Sequence, residues 1–278
     1  MASSLATGAC LPADWGANAI LHPSRRPVAV RPDLAFEDLS FANGEVNLKG
    51  WIFRTTAPRR GWIVYLHGIA DNRQSAIGFA HRFVPQGYDV LAYDGRAHGE
   101  STGAAVTYGV LEKRDLLSAL DAAHVDRAVL FGCSLGASVA LQAAPLDSRI
   151  AGVVAQSPFT DLRSIVFERK PWIATRGEAE QALALAGKRG GFDVDEASVL
   201  RAAPRITVPV LLIHGANDRE TSPTHSQRIF DALVGPKELL LVPGAGHNDT
   251  LAASETWQRI ETWLERLHGV PRYDRAAP

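Results

Sequence analysis

Residues 132–136 are Gly-Cys-Ser-Leu-Gly and lie between an apolar run, Arg127–Phe131, and a stretch of small residues, 137–144. The apolar run predicts a β-strand and the small residues predict a helix, so the pentapeptide occupies a strand–turn–helix junction. Glycines on both sides allow a sharp backbone reversal that leaves the hydroxyl of the central serine exposed. Ser134 is therefore the candidate nucleophile, provided that other residues activate it.

Further along the chain lie two candidate residues that could activate this serine. His247 lies in the glycine-rich loop 243–249, and an imidazole with a pKa near neutrality can act first as base and then as acid. Asp218 ends the segment His214-Gly-Ala-Asn-Asp directly after an apolar strand, where a carboxylate can orient the imidazole. The chain order serine, aspartate, histidine is the order expected for this serine motif.

Other residues compete for the roles of acid and base. Asp249 neighbours His247, and Asp94 and Asp161 also lie near strand ends; Asp218 is preferred, since a residue two positions along the loop from His247 points elsewhere. His67, at the end of a strand, is predicted to be a structural loop residue. The histidines predicted to lie at the surface are His22, His81, His124, His225 and His268.

Two backbone amides are the predicted stabilisers of an oxyanion. The helix after Ser134 directs its N-terminal N–H groups at the serine, which makes the Leu135 N–H the first candidate donor. His67-Gly68-Ile69 follows the apolar strand Trp62–Leu66, in the position of the loop that supplies a second donor. The Ile69 N–H is that candidate, with Gly68 expected to permit close approach of the backbone.

Short apolar runs separated by helical patterns predict an α/β fold, a mostly parallel sheet with helices on both faces. Leu34–Phe41 and Val46–Arg54 flank Asn43-Gly44, which predicts an antiparallel N-terminal hairpin at one edge. The other predicted strands are Trp62–Leu66, Asp89–Tyr93, Arg127–Phe131, Ile150–Ala155, Val208–Ile213 and Glu238–Val242.

Three parts of the chain are distinguished by composition. Residues 1–32 are rich in proline, alanine and arginine and predict an extended lead-in, 33–270 form the main domain, and 271–278 form a tail. Within the main domain, 159–207 contain helical patterns but no strand. An insertion of that length is expected to be a small helical cap over the strand ends, where open α/β sheets bind ligands. A long ordinary crossover is the alternative.

The cap segment also supplies candidates for an apolar substrate pocket. Phe159, Phe167 and Trp172 are the residues predicted to line it. The alternative is that several of them pack the cap onto the sheet.

Charge and cysteine content argue against several functional classes. The chain has 29 Lys and Arg against 30 Asp and Glu without a block of like charge, so nothing indicates binding to nucleic acid or to an anionic membrane. Cys10 and Cys133 are far apart, which excludes a disulfide framework. No cluster has metal-ligand spacing, and we expect neither a metal nor another cofactor.

No stretch approaches the roughly 20 consecutive apolar residues of a membrane span. We therefore expect a cytoplasmic protein, while a signal or anchor removed from the N-terminus is left open as an alternative.

The motifs together resemble those of the α/β-hydrolase superfamily, over about residues 36–267. The resemblance is carried by five segments: His67-Gly68, Asp94-Gly-Arg-Ala-His-Gly-Glu-Ser101, Gly132–Gly136, His214–Asp218 and Gly246-His247. It implies a serine hydrolase with the α/β-hydrolase fold, similar to the compact branch of esterases, lysophospholipases and thioesterases. Ala97 replaces a glycine of the family's loop, and this change is expected to matter little because that loop is structural in the family.

We expect the chain to cleave carboxylic or thio esters of small molecules through an acyl-enzyme intermediate. The sequence does not define the acyl chain, the leaving group or the oligomeric state. An amidase or peptidase with the same three residues is one alternative. A non-catalytic, ligand-binding member of the fold is the other.

Overall fold

An eight-stranded sheet forms the centre of the computed structural model, which describes residues 11–269. The strands in chain order are β1 (Glu37–Asn43), β2 (Val46–Phe53), β3 (Gly61–Leu66), β4 (Tyr88–Tyr93), β5 (Ala128–Cys133), β6 (Ile150–Gln156), β7 (Val210–Gly215) and β8 (Lys237–Val242). Their order across the sheet is β1-β2-β4-β3-β5-β6-β7-β8. The β1–β2 and β2–β4 pairs are antiparallel and the other five pairs are parallel, which confirms the predicted α/β sheet with an antiparallel N-terminal hairpin.

Helices cover both faces of this sheet. They are α1 (Leu11–Leu21), α2 (Ile77–Phe83), α3 (Glu112–Ala122), α4 (Leu135–Ala143), α5 (Leu162–Arg169), α6 (Arg176–Gly190), α7 (Val199–Ala202), α8 (Thr224–Ala232) and α9 (Ser254–Gly269). Short 3₁₀ helices occupy Arg73–Ala76, Val194–Glu196 and Ala203–Arg205. None of the helices between residues 11 and 269 is long and apolar enough to cross a membrane.

Alternating side chains divide the core into two clusters, one on each face of the sheet. On β3, Trp62 and Val64 belong to the first cluster, and Ile63 and Tyr65 belong to the second. Helices α1, α3 and α4 contribute to the first cluster, and α2 and α9 contribute to the second. Strand β3 lies between β4 and β5 in the sheet, and every one of its residues is buried, as is usual for apolar strands of a parallel sheet.

The prediction of an extended lead-in over residues 1–32 is wrong for residues 11–21, which form helix α1. Residues 11–21 are helical, residues 22–36 form neither helix nor strand, and residues 1–10 lie outside the described part, as does the predicted tail 271–278. Ala13, Ala17 and Ile20 are buried on one face of α1, with the spacing of successive helical turns. Because alanine contrasts only weakly with its polar neighbours, this helical period is hard to recognise in the sequence.

Helix α1 packs on helix α6 of the segment that connects β6 to β7. A Cβ added to Gly16 would lie 2.8 Å from the Cβ of Ala182, so the two helices are in close contact. Arg189 pairs with Asp14 across this contact. The connecting segment is described throughout and contains helices but no β-strand.

The loop 94–101 is a buried polar structure. Asp94 is fully buried and pairs with the Arg73 guanidinium, and it also accepts hydrogen bonds from the N–H groups of Arg73 (2.7 Å) and Glu100 (2.8 Å). Ala97 adopts a φ of 59°, a left-handed conformation that costs an L-residue about 1–2 kcal/mol. The family's glycine would avoid this cost.

His98 in this loop gives a testable pH dependence. Its side chain is 1% exposed, and burial, together with the nearby His67, lowers the pKa of His98 from 6.5 to about 4, although the hydrogen bond to the Arg96 carbonyl opposes the shift. The unfolded chain therefore binds a proton at a pH where the folded chain does not. His98 contributes stability above pH 6.5 that is lost as the pH falls toward 4, amounting to about 3 kcal/mol.

His98→Gln is accordingly expected to flatten the fall in unfolding free energy between pH 6.5 and 4. Chemical denaturation at several pH values measures this slope. An unchanged slope in His98→Gln would show that protonation of His98 does not cause this loss of stability.

Candidate active site

Ser134 lies in the turn between β5 and α4, in a strained backbone conformation. Its φ is 50° and its ψ is −109°, a combination that L-residues rarely adopt. A Cβ on Gly132 would lie 2.4 Å from the Gly136 carbonyl oxygen, and one on Gly136 would lie 2.2 Å from that of Leu66 in β3. The two glycines are therefore required by backbone contact, and the turn exposes Ser134 to the cavity beside it.

The three residues predicted as nucleophile, base and acid form one chain of hydrogen bonds. The Ser134 hydroxyl lies 3.0 Å from Nε2 of His247, and Nδ1 of His247 lies 2.6 Å from Oδ2 of Asp218. A carboxylate only accepts, so Nδ1 carries the proton and Nε2 is free to accept from the serine. The arrangement can move a proton from the hydroxyl to the imidazole.

Asp218 is held as an anion in a buried position. Its Oδ1 accepts hydrogen bonds from the N–H groups of Glu220 (2.9 Å) and Thr221 (3.0 Å). Burial by itself raises the pKa of this carboxyl, but hydrogen bonds from His214, His247 and the Thr221 amide outweigh burial and hold the pKa well below its usual range. The carboxylate is therefore charged at neutral pH.

The competing carboxylates have other partners. Asp249 accepts from the Gly246 N–H at 3.2 Å, Asp161 caps α5 by accepting from the Ser164 N–H at 2.7 Å, and Asp94 pairs with Arg73. Within residues 11–269, none of these three carboxylates forms a hydrogen bond or an ion pair with His247, whose carboxylate partner is Asp218. The preference for Asp218 over them agrees with this geometry.

The two predicted oxyanion donors both border the same cavity as Ser134. Leu135 begins α4 and Ile69 follows β3, and both residues line that cavity. Neither backbone N–H has a hydrogen-bond partner within the described chain. A Cβ at Gly68 would meet its neighbours at 3.6 Å, an ordinary contact distance, so the close approach expected of Gly68 is not what this position requires.

His67 holds the loop that carries Ile69. Its Nε2 accepts from the Gly95 N–H at 2.9 Å, and its Nδ1 lies 2.7 Å from the Gly68 carbonyl oxygen. Both ring nitrogens are thus used within the loops, as predicted for a structural residue. His225, predicted to be exposed, is 4% exposed, and its Nε2 lies 2.6 Å from Glu168.

Cys133 precedes the serine and points away from it. Its thiol lies 3.0 Å from the Gln156 side-chain oxygen, and the residue packs against the second core cluster. Burial raises the pKa of Cys133 to about 12. The thiol is therefore protonated and unreactive at neutral pH.

A cavity of about 570 Å³ opens beside Ser134 and is lined mainly by apolar residues. Of the three residues predicted to line a pocket, Phe159 borders this cavity and Phe167 and Trp172 do not. Phe167 packs under the Arg176 guanidinium, 4.7 Å from it, and Trp172 is 92% exposed. The sequence missed a wall contributed by α1, which consists of Trp15, Gly16, Ala19 and Ile20.

No group of three or more histidine, cysteine or carboxylate side chains able to hold a metal ion lies within residues 11–269.

Replacing Gly136 with Ala tests the backbone contact at the turn. The added methyl group would overlap the Leu66 carbonyl oxygen, and overpacking of this kind lowers the free energy of unfolding by about 1–3 kcal/mol. Gly78→Ala in α2 is the control, because no heavy atom lies within 4 Å of its added Cβ. There the helix preference of Ala is expected to raise stability by up to about 1 kcal/mol.

Urea denaturation of both variants measures the two effects. Equal stability of Gly136→Ala and the unmodified protein would show that the turn is not tightly packed.

Comparison with known proteins identifies the family. A model of the alpha/beta hydrolase fold matches residues 61–194. The uncharacterized protein Rv2307c from Mycobacterium tuberculosis is 30% identical over 209 residues, which cover 73% of this chain and 69% of that protein. The uncharacterized protein YqkD from Bacillus subtilis is 29% identical over 202 residues, 66% of this chain and 64% of its own length.

Among solved structures, the esterase Pf2001 from Pyrococcus furiosus superposes with a TM-score of 0.73 at 24% identity, covering 89% of this chain and 100% of that one. The resemblance in fold extends well beyond the segment matched by the family model. From the sheet order, the strained turn at β5 and these matches, we conclude that the chain belongs to the alpha/beta hydrolase superfamily.

Proposed function

We propose that this protein is a serine hydrolase that cleaves carboxylic or thio esters through an acyl-enzyme intermediate. The observation that carries the proposal is the continuous hydrogen-bonded chain from the Ser134 hydroxyl through His247 to the buried Asp218 carboxylate. Serine, histidine and aspartate in this arrangement are recognised by their geometry and their roles.

In the acylation step, Ser134 Oγ attacks the carbonyl carbon of the ester while its proton passes to Nε2 of His247. The N–H groups of Leu135 and Ile69 stabilise the negative oxygen of the tetrahedral intermediate. Collapse of the intermediate breaks the bond to the leaving group, and His247 donates its proton to the departing alcohol or thiol. The acyl group remains on Ser134.

In the deacylation step, a water oxygen attacks the acyl carbon while His247 accepts a proton from that water. Breakage of the bond to Ser134 Oγ releases the carboxylic acid, and His247 returns the proton to the serine. Throughout, Asp218 keeps Nδ1 of His247 protonated and stabilises the charged imidazole.

The cavity beside Ser134 supports an apolar acyl group as substrate. Its walls come from α1, from the helical segment after β6 and from Phe159, and transfer of a hydrocarbon chain from water to such a surface is favourable by about 0.8 kcal/mol per methylene. Similarity in fold to a protein described as an esterase supports the choice of ester substrates. We propose that residues 159–207 act as a cap that, with α1, encloses the acyl group.

Hydrolysis of p-nitrophenyl esters from acetyl to palmitoyl tests the proposal, with Ser134→Ala and His247→Ala assayed in parallel. Each variant is expected to lose at least about 1,000-fold in kcat, because the nucleophile or its base is gone. Circular dichroism and thermal unfolding serve as controls for folding.

Retention of near-full ester turnover in Ser134→Ala would overturn the proposal. An unmodified protein that is inactive on every ester would shift the assignment to amide substrates or to ligand binding without catalysis.

The α1 wall makes a second prediction, about chain length. Ala19 lines the cavity from an exposed position on α1, so Ala19→Phe is expected to fill part of the cavity without disturbing the core. The ratio of kcat/KM for long-chain to acetyl esters should fall by about tenfold or more.

The matched control is Trp172→Ala, which alters a residue that is 92% exposed and should leave the ratio within about twofold. If Trp172→Ala changed the ratio of kcat/KM and Ala19→Phe did not, the cavity lined by α1 would not be the acyl-binding site.

A further inference from the structure

A second histidine contacts the Asp218 carboxylate. His214, near the end of β7, is fully buried, and its Nε2 lies 3.1 Å from Oδ2 of Asp218, the same oxygen that His247 contacts. Nε2 also lies 2.9 Å from the Thr221 carbonyl oxygen. On the other side of the ring, Nδ1 lies 2.7 Å from the Ser226 hydroxyl in α8.

The partners of His214 determine where its proton is. The Thr221 carbonyl and the Asp218 carboxylate only accept hydrogen bonds, so Nε2 carries a proton. It donates to the Thr221 carbonyl, and the carboxylate lies within ion-pair distance of the same N–H. The Ser226 hydroxyl is fully buried and can donate to Nδ1. A neutral ring with its proton on Nε2 therefore satisfies every polar atom of His214 and the hydroxyl of Ser226.

The local backbone brings His214 to its position beside Asp218. Residues 214–218 reverse direction in a turn in which the Asp218 N–H donates to the Gly215 carbonyl oxygen at 3.1 Å. A Cβ on Gly215 would lie 2.2 Å from the Gly246 carbonyl oxygen, so this turn is pressed against the loop that carries His247. The two loops and the His214 ring form one packed unit.

We propose that His214 is a positioning residue that holds the Asp218 carboxylate in the plane required by His247. The side-chain torsion of an aspartate carboxylate is soft, and donors on both oxygens fix it. Two backbone amides hold Oδ1, while the Nε2–H of His214, shared with the Thr221 carbonyl, lies 3.1 Å from Oδ2 beside His247. The inference rests on the proposed function, because it assigns His214 a role only through the Asp218–His247 pair.

Two substitutions distinguish the contact made by Nδ1 of His214 from the contact made by Nε2. His214→Asn retains an amide near the position of Nδ1, toward Ser226, but is too short to reach Asp218. His214→Gln is long enough to place an amide N–H near the position of Nε2. At pH 8, kcat of the His214→Asn variant should fall by about 10- to 100-fold with KM within about twofold, as when a partner that orients a reacting group is removed. The His214→Gln variant should retain most of the activity.

A double-mutant cycle tests whether His214 acts through Asp218. In an Asp218→Asn background, His214→Asn should cause little further loss of kcat, because the group that it positions is gone. His98→Gln is the matched control, since His98 is a similarly buried histidine whose ring contacts the Arg96 carbonyl and not Asp218. His98→Gln should change kcat by the same factor in the unmodified protein and in the Asp218→Asn variant.

A proton NMR measurement gives a readout that does not require turnover. In Ser134→Ala protein, the downfield resonance of the His247 Nδ1–H should shift when His214→Asn is added and return with His214→Gln. If the His214→Asn variant fails to fold, His214→Met replaces it. An unchanged resonance together with an unchanged kcat in the His214→Asn variant, or losses that multiply in the Asp218→Asn background, would overturn the inference.

Loss of activity in Ser134→Ala with full activity in His214→Asn would overturn only the role of His214. Full activity in Ser134→Ala would instead overturn the proposed function.

Discussion

Backbone contact around Ser134 is the constraint on which the candidate site depends. Gly132 and Gly136 bring β5, α4 and β3 so close together that a methyl group fits at neither position. This contact holds Ser134 at a positive φ, at a cost of order 1–3 kcal/mol that the surrounding packing must outweigh. The same contact brings the start of α4 beside the loop after β3. The same backbone contact therefore fixes the positions of the serine and of both candidate oxyanion donors.

The second requirement is a charged carboxylate in a buried position. Four donors surround Asp218, two backbone amides on one oxygen and two imidazoles on the other. Because each donor compensates part of the lost hydration, the carboxylate remains ionised despite burial. A fixed anion at this place keeps His247 in one tautomer, which leaves its other nitrogen facing the serine.

Local sequence signals were sufficient for much of this arrangement but not for the pocket. Ser134, Asp218 and His247 each follow an apolar strand, and the carboxyl ends of parallel strands meet at one edge of a sheet, so their proximity could be predicted. The wall formed by α1 depends on packing against α6, far along the chain, and the buried alanines of α1 give only a weak apolar periodicity. Exposure of Trp172 and the contact of His214 with Asp218 likewise depend on loop geometry that no local pattern encodes.

Covalent labelling with a fluorophosphonate tests most directly whether Ser134 is an activated nucleophile. We expect one adduct per chain, found by mass spectrometry on the peptide that contains Ser134, with ester turnover falling in proportion to the labelled fraction. Labelling should be slow in His247→Ala, because the serine then lacks its base. A label on a different residue, or full ester turnover in protein labelled completely at Ser134, would show that Ser134 is not the nucleophile.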